Sequence, residues 1–202
     1  MNGEDTKDKS VRGNLRLSFI LPLVGFLVLA GFAAVALYST ILGTRNPAQL
    51  PSVLIGKAAP ETPIPLLNDT AKSLDLAAFQ GTPILVNFFA SWCAPCRAEA
   101  PALALIAEYV PVIGITYKDK PTDARVFLTQ YGDPFSAIGV DRDGKLGFAW
   151  GVYGVPESYV LAGDGTVLWR HAGPIDRRVL EAELWPLLSS LSVAVPSGAA
   201  DQ

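Results

Sequence analysis

The sequence Trp92-Cys93-Ala94-Pro95-Cys96 decides the fold, because it contains the only two cysteines of the chain. Residues 83–90 before it are apolar and rich in β-branched and aromatic side chains, which is typical of a buried strand. Residues 95–109 are mostly alanine, leucine, glutamate and arginine, which favour a helix. The cysteine pair is therefore expected where a strand passes into a helix.

This position has a chemical consequence for the two thiols. The first turn of a helix offers free N–H groups and the positive end of the helix dipole. A thiolate is stabilised there, so its pKa falls. Cys93, as the outer residue, is predicted to be the attacking nucleophile, and Cys96 to be the resolving thiol. Pro95 suits the first turn, because it has no N–H to leave unpaired and its φ is already helical.

Two other roles for the pair are less favoured. A structural disulfide that closes so short a loop contributes only about 2 kcal/mol, against about 4.7 kcal/mol for a 100-residue loop. A zinc site needs four ligands, and the chain offers one cysteine pair and one distant histidine, His171. We therefore predict a redox-active Cys93–Cys96 disulfide, with no metal and no cofactor.

Length and charge limit the classes of function. The chain has 202 residues, which allows one ordinary domain with appendages. Its net charge of −3 gives no basic field of the kind that nucleic-acid binding requires. Neither a glycine-rich phosphate loop nor a dinucleotide fingerprint follows a suitable strand.

The N-terminal part predicts a membrane anchor. Residues 17–38 contain no charged residue and are long enough to cross a hydrocarbon core as a helix. Residues 1–16 are expected to be a short disordered cytoplasmic tail; they carry four basic residues, whereas the first one after the apolar run is Arg45. The positive-inside rule then places the N-terminus in the cytoplasm and the rest of the chain in the periplasm. A cleaved signal peptide, with its site at Ala34-Val35-Ala36, is the competing interpretation, and the length of the apolar run favours a retained anchor.

After the anchor we expect a linker over residues 39–54, a folded domain over 55–191 and a disordered tail over 192–202. Within the domain, alternating strand and helix patterns predict an α/β fold with a parallel sheet and crossover helices. The predicted strands are 64–67, 72–76, 83–90, 110–117, 137–140, 157–161 and 167–171, the last two of them as a hairpin. The predicted helices are a single turn at 76–80, then 95–109, 121–131, 145–150 and 176–191.

This order of elements around Trp-Cys-x-x-Cys resembles the thioredoxin fold, a central mixed sheet flanked by helices. A second match is the run Gly151-Val152-Tyr153-Gly154-Val155-Pro156-Glu157-Ser158. In that family a proline at the start of the hairpin is cis and faces the cysteine pair, and the resemblance assigns this role to Pro156. It also implies that the Val155 backbone pairs with an extended substrate beside Cys93.

A closer resemblance is to the CcmG/DsbE family, the membrane-anchored periplasmic thioredoxin-like proteins of cytochrome c maturation. Besides the anchor, three motifs carry it: Leu54-Ile55-Gly56-Lys57-x-x-Pro60, Gly114-Ile115-Thr116-Tyr117-Lys118-Asp119 and Gly151-Val152-Tyr153-Gly154-Val155-Pro156-Glu157. The resemblance implies a reductant that keeps the haem-attachment cysteines of apocytochrome c as thiols. It also implies re-reduction by a membrane thiol-disulfide transporter of the DsbD/CcdA type.

Two alternatives remain for the function. One is a general extracytoplasmic thiol reductase with broader substrates. The other is a copper metallochaperone of the same fold, which would need Cys-x-x-x-Cys, whereas the spacing here is Cys-x-x-Cys.

One residue departs from the thioredoxin pattern. Thioredoxins carry a buried aspartate six residues before the first cysteine, and this chain has Asn87 there, which does not titrate. Glu99 and Glu157 are the candidates for handling the Cys96 proton. An acidic group near a thiol raises the thiol pKa, which would favour a reducing protein. The alternative for either glutamate is a solvated surface charge.

The remaining candidates flank the pair. Trp92 precedes Cys93, and the family match predicts a groove shaped by Tyr117, Lys118, Asp119 and Tyr153. Lys118 and Asp119 could instead form an ordinary surface pair. Tyr153 and Phe148 are expected either to line the site or to fill core, and His171 is expected to be structural.

Overall fold

The computed structural model describes residues 11–41 and 52–196. The chain divides into two compact units, the first ending at Asn46 and the second beginning at Pro47. The first unit contains helix α1, Val11–Ile41. Its segment Ile20–Tyr38 has 19 residues and a mean hydropathy of 2.6, so it is long and apolar enough to cross a membrane.

The helix is longer than the sequence predicted. Residues 11–16 belong to α1, so the tail expected over 1–16 is wrong for this part; extending a helix adds one hydrogen bond per residue without requiring an apolar side chain. Residues 39–41 are also helical, whereas they were assigned to the linker. The rest of the predicted tail, 1–10, and the linker residues 42–51 lie outside the described residues.

The second unit is built on a five-stranded sheet in the order β3-β2-β1-β4-β5. Strands β1, β2 and β3 are parallel, and β4 and β5 are antiparallel to their neighbours. This is the central mixed sheet that the resemblance implies. The strands are β1 Ile84–Phe89, β2 Val112–Tyr117, β3 Ala137–Asp141, β4 Glu157–Leu161 and β5 Val167–Ala172.

Helices cover both faces of this sheet. Helix α2 and the C-terminal helices bury one face, and α4 packs against the other. A third cluster joins α3 to the residues around the cysteine pair. The helices are a 3-10 turn Leu76–Phe79, α2 Ala94–Ile106, α3 Pro121–Tyr131, α4 Lys145–Trp150, α5 Arg177–Val179, a π turn Leu180–Leu184 and α6 Trp185–Ser190.

The strands predicted at 64–67 and 72–76 are wrong. The first segment makes single bridges only, from Pro65 to Ser73 and from Leu66 to Gly139, because Pro65 has no N–H for a continuous ladder. It still covers the outer edge of β3, since the Leu67 N–H donates to the carbonyl of Ile138 at 2.8 Å.

The C-terminal segment also differs from the expected single helix. Pro186 has no N–H to donate to the carbonyl one turn back. The residues just before it form a π turn, in which the Trp185 N–H donates to the carbonyl of Leu180, five residues earlier. The predicted disordered tail is wrong up to Val195, because Val193 and Val195 pack against the core under α2. Residues 197–202 lie outside the described residues.

Candidate active site

The cysteine pair lies at the start of α2. Cys93 is the N-cap residue, with an extended backbone, and it forms a disulfide with Cys96. The Cys96 N–H donates a hydrogen bond to Cys93 Sγ at 3.1 Å. A hydrogen bond to the charged form of a group favours that form, so this N–H would stabilise a Cys93 thiolate in the reduced protein. Pro95 lies within the first helical turn.

Exposure does not distinguish the two sulfurs. Cys93 is 3 % exposed and Cys96 is 2 % exposed, so Cys93 is not the outer residue that the sequence suggested. Both pack in a cluster with Phe89 and Ala90 at the end of β1 and with apolar residues of α3. The N-cap hydrogen bond to Sγ therefore distinguishes Cys93 from Cys96, whereas solvent access does not.

The loop before β4 packs onto this cluster. The Val155–Pro156 peptide bond is cis. Val155 packs against the cluster that contains both cysteines, and the Pro156 carbonyl accepts from the Gly173 N–H at 2.9 Å. Within the part of the chain that the structure describes, the Val155 N–H and carbonyl make no hydrogen bond. Both backbone groups therefore keep their full hydrogen-bonding capacity.

Asp119, which follows β2, is buried and contacts the loop before Cys93. Its carboxylate accepts from the Ser91 N–H at 2.6 Å and from the Ser91 hydroxyl at 2.9 Å. Lys118 is exposed, and its Nζ lies 4.9 Å from the centre of the Tyr117 ring. Lys118 and Asp119 are therefore not a surface ion pair; Asp119 fixes the residue just before Trp92.

Asn87 contacts Glu99 on the face of the sheet that α2 covers. Asn87 Nδ2 donates to Glu99 Oε1 at 2.9 Å and to Ser158 Oγ at 3.0 Å. The other carboxylate oxygen, Glu99 Oε2, accepts from the Ile175 N–H at 3.0 Å. Glu99 is buried and lies three residues after Cys96, so it is not a solvated surface charge.

Burial changes the acidity of this carboxyl group. Desolvation raises the pKa of Glu99 from 4.5 to about 7, although the hydrogen bonds from Ile175 and Asn87 favour the ionised form. A carboxyl group with this pKa can both accept and release a proton near neutral pH. Glu99 therefore offers, one helical turn from Cys96, the titratable group that Asn87 does not supply.

Glu157 lies on the opposite face of the sheet. Asn87 is paired with Ser158 in the register of β1 and β4, and neighbouring residues of a strand point to opposite faces, so Glu157 points away from α2. Its carboxylate accepts from Arg170 Nε at 2.6 Å, and both side chains are buried. Glu157 is therefore neither a surface charge nor placed under the cysteine pair with Glu99.

The remaining candidates are placed as follows. Tyr153 and Phe148 are both exposed, so neither fills core. The Tyr153 ring lies over Arg170, whose Cζ is 5.2 Å from the ring centre. Trp92 is exposed and borders an open groove between α2 and α3. His171 stacks on Trp169 in β5, and burial lowers its pKa, in keeping with the structural role expected of it.

Sequence reasoning missed several residues that hold the site. Most of them are brought to the site by a partner distant in the chain rather than by a local motif, whereas Tyr159 contacts Glu157, two positions away. Sheet register was the only signal that could have found those on β4 and β5, since Tyr159 is paired with Arg170. The missed residues are Ser91, Ser158, Tyr159, Arg170 and Ile175.

Known proteins are similar to this chain in sequence and in fold. Residues 54–184 match the Redoxin family model. The thiol:disulfide interchange protein CycY of Rhizobium leguminosarum bv. viciae is 39% identical over 174 residues, covering 84% of this chain and 94% of the relative. The thiol:disulfide interchange protein HelX of Rhodobacter capsulatus is 39% identical over 170 residues, covering 84% of this chain and 94% of the relative. The thiol:disulfide interchange protein DsbE of Vibrio cholerae is 37% identical over 179 residues, covering 88% and 96%.

A solved structure is similar to this chain in fold. The crystal structure of a putative thiol:disulfide interchange protein DsbE from Chlorobium tepidum superposes with a TM-score of 0.60 at 28% identity. The match covers 71% of this chain and 99% of that one.

Proposed function

Because the chain belongs to the redoxin family and, within it, to the thiol:disulfide interchange proteins of the CcmG/DsbE type, we propose that it reduces the haem-attachment cysteines of apocytochrome c. The observation that carries this proposal is the Cys93–Cys96 pair at the N-terminus of α2. The buried Glu99 beside it supports the reductive direction, since an acidic group near a thiol disfavours the thiolate and so opposes the effect of the helix dipole.

The proposed reaction is a two-step exchange. The Cys93 thiolate attacks one sulfur of the substrate disulfide, which forms a mixed disulfide and releases the other substrate sulfur as a thiolate. Cys96 then attacks Cys93 Sγ and releases the second substrate thiol. Two electrons pass from the protein dithiol to the substrate disulfide, and the protein is left with the Cys93–Cys96 disulfide. Glu99 accepts the proton that Cys96 must lose before it attacks.

Substrate binding uses the loop that carries Pro156. The free N–H and carbonyl of Val155 pair with the substrate backbone on one side of its cysteine, as a short added strand. Trp92 and the Tyr117–Asp119 turn border the same end of the sheet, because the carboxyl ends of β1 and β2 lie together.

The anchor and the electron donor complete the proposal. Four basic residues precede the apolar segment of α1, which favours a cytoplasmic N-terminus and a periplasmic domain on a single-pass inner-membrane protein. A domain outside the cytoplasm has no access to cytoplasmic reductants. A membrane transporter of the DsbD/CcdA type is therefore the proposed source of the two electrons that convert the disulfide back to the dithiol.

The experiment that tests this function is deletion of the gene followed by measurement of holo-cytochrome c. We expect the loss of covalently bound haem, restoration by the wild-type gene or by an added external thiol, and no restoration by the Cys93→Ser variant. Normal cytochrome levels in the deletion strain, with no external thiol present, would contradict the proposal and favour a general thiol reductase.

A further inference from the structure

An open groove lies on the α3 side of the cysteine pair, and the exchange chemistry itself does not use it. The groove runs between α2 and α3 and begins at Trp92, whose side chain is 59 % exposed. The apolar side chain of Val126 on α3 is 65 % exposed in the same groove. Large apolar side chains exposed together beside a reactive centre are typical of a surface that a partner covers.

The strand order places this groove on the opposite side of the cysteines from Val155. The pair follows β1, the central strand, and the loop that carries Val155 leads into β4 on one side of it. Helix α3 follows β2, which lies on the other side of β1. A polypeptide whose backbone pairs with Val155 and whose cysteine meets Cys93 therefore continues toward the groove.

Arg97 supplies a positive charge to this groove. It lies on α2 four positions after Cys93, and its side chain is exposed. Its Cζ is 5.9 Å from the centre of the Tyr131 ring, a cation–π contact that holds the guanidinium without neutralising its charge. Within the part of the chain that the structure describes, Arg97 forms no ion pair. The groove therefore contains a cation that can bind an anionic group of a partner.

Asp123 is the other charged side chain that lines the groove, and its surroundings differ. It lies in the first turn of α3, where the positive end of the helix dipole stabilises a carboxylate. Its Oδ1 also accepts from the Thr122 hydroxyl at 3.0 Å. The charge of Asp123 is thus partly balanced, whereas Arg97 contacts only a neutral ring. An anionic side chain therefore fits the groove at Arg97 better than a cationic one fits it at Asp123.

The geometry of a helix and of an extended chain shows which substrate residue would reach Arg97. Four positions along α2 correspond to about 6 Å between Cys93 and Arg97. An extended polypeptide advances about 3.3 Å per residue. A substrate side chain about two residues from the attacked cysteine therefore comes level with Arg97.

We propose that Arg97 is a specificity-determining residue for disulfide exchange. The groove receives the part of the substrate chain that lies on the far side of its cysteine from Val155, and Arg97 binds an acidic side chain there. The planar guanidinium suits this role, because it can donate two parallel hydrogen bonds to one carboxylate. The inference rests on thiol:disulfide exchange as such and does not depend on which protein is the substrate.

The test measures single-turnover reduction of peptide disulfides by the reduced full-length protein in detergent at low ionic strength. Each peptide has an intramolecular Cys-x-x-Cys disulfide and carries glutamate, glutamine or lysine at one flanking position. In one series that position is two residues before the first cysteine, and in the other it is two residues after the second. Bis(2-hydroxyethyl) disulfide, which is neutral and has no peptide backbone, reports the reactivity of the thiols alone.

The variants are Arg97→Gln and Arg97→Glu, which change an exposed side chain. The matched control is Arg142→Gln. Arg142 is also exposed, lies just after β3 and does not line the groove, so its substitution removes the same charge elsewhere. Dividing each peptide rate by the rate with the small disulfide removes any effect of the Arg97 charge on Cys93.

In one of the two series we expect wild type to reduce the glutamate peptide about threefold faster than the glutamine peptide, the factor that one solvent-accessible ion pair gives. Arg97→Gln should bring this ratio to about one, and Arg97→Glu should make the lysine peptide the fastest substrate. Arg142→Gln should keep the wild-type ratio. Added salt should lower the wild-type ratio, because it screens an exposed ion pair.

Equal normalised rates with the glutamate and glutamine peptides in both series of the wild-type protein would overturn the proposal. A ratio that Arg97→Gln leaves unchanged would also overturn it. The same loss of the ratio in Arg142→Gln would reduce the effect to the net charge of the protein. A loss in Arg97→Gln that is equal for every peptide and for the small disulfide would reject specificity and assign Arg97 to the acidity of the thiols.

Discussion

At the scale of single residues, Glu99 is a carboxyl group whose burial changes its acidity. Its pKa rises from 4.5 to about 7 on burial. Between these pH values the folded protein keeps a proton that the unfolded chain has released, so stability falls as the pH rises through this window. This loss in the free energy of unfolding is absent below about pH 4.5 and complete above about pH 7, where it amounts to about 3 kcal/mol.

The Glu99→Gln variant should lack this dependence. We expect the free energy of unfolding of the variant, relative to wild type, to increase by about 3 kcal/mol between pH 4 and pH 8, because glutamine has no charge to desolvate. Urea unfolding of the oxidised proteins at several pH values measures this difference in the free energy of unfolding. The oxidised form is used because cysteines in a disulfide do not titrate. Glu108→Gln, an exposed glutamate beyond the end of α2, is the control. Parallel pH curves for wild type and Glu99→Gln would contradict a raised pKa.

Local sequence patterns predict some residues of the site and miss others. The sequence predicts roles for the Cys93–Cys96 pair and for Pro156, because each belongs to a motif in which the chemistry and the spacing coincide. Arg170 was not found, because its partner Glu157 is 13 positions away and meets it only through the register of two strands. For the same reason Glu157 was placed with Glu99, although the alternation of the strand puts the two on opposite faces.

At the scale of elements, the β4–β5 pair is held together by a buried ion pair as well as by its ladder. We expect Arg170→Gln to lose about 3–5 kcal/mol of stability, because it leaves the Glu157 carboxylate buried without its cation. The double variant Arg170→Gln with Glu157→Gln should be more stable than Arg170→Gln alone, since no uncompensated charge remains. Thermal or urea unfolding measures both.

A matched pair tests the role of burial in that prediction. Arg177 and Glu181 are also 2.6 Å apart, but Arg177 is exposed, so Arg177→Gln should leave the free energy of unfolding close to that of wild type. Equal losses from Arg170→Gln and Arg177→Gln would show that burial does not set the size of the effect.

The elements that the sequence predicted well are those with a strong pattern and clear ends. Strands β1, β2 and β3 and helix α3 fall within a few residues of their expected positions, since Pro121 and Gly132 bound the helix. Two of the errors occur where proline removes a hydrogen-bond donor. The segment with Pro63 and Pro65 covers a sheet edge without a ladder, and the helix around Pro186 changes its hydrogen-bond pattern.

At the scale of the whole molecule, α1 is the proposed membrane anchor, and its orientation would place the cysteine pair outside the cytoplasm. We expect the full-length protein to remain in the membrane fraction after alkaline extraction, and the domain to be digested by protease added to spheroplasts, because the basic residues before the apolar segment of α1 favour a cytoplasmic N-terminus. A shortened, soluble periplasmic form would contradict the anchor and indicate cleavage as a signal peptide. Protection from the external protease would contradict the orientation.

The central claim is that electrons leave the Cys93–Cys96 dithiol for a substrate, and the reduction potential tests it most directly. Equilibration of the full-length protein with dithiol–disulfide buffers, followed by trapping of free thiols, gives this potential. We predict a value more negative than about −180 mV, on the reducing side of a disulfide isomerase. A value of about −120 mV, that of a strong disulfide-forming oxidant, would contradict this direction of electron flow.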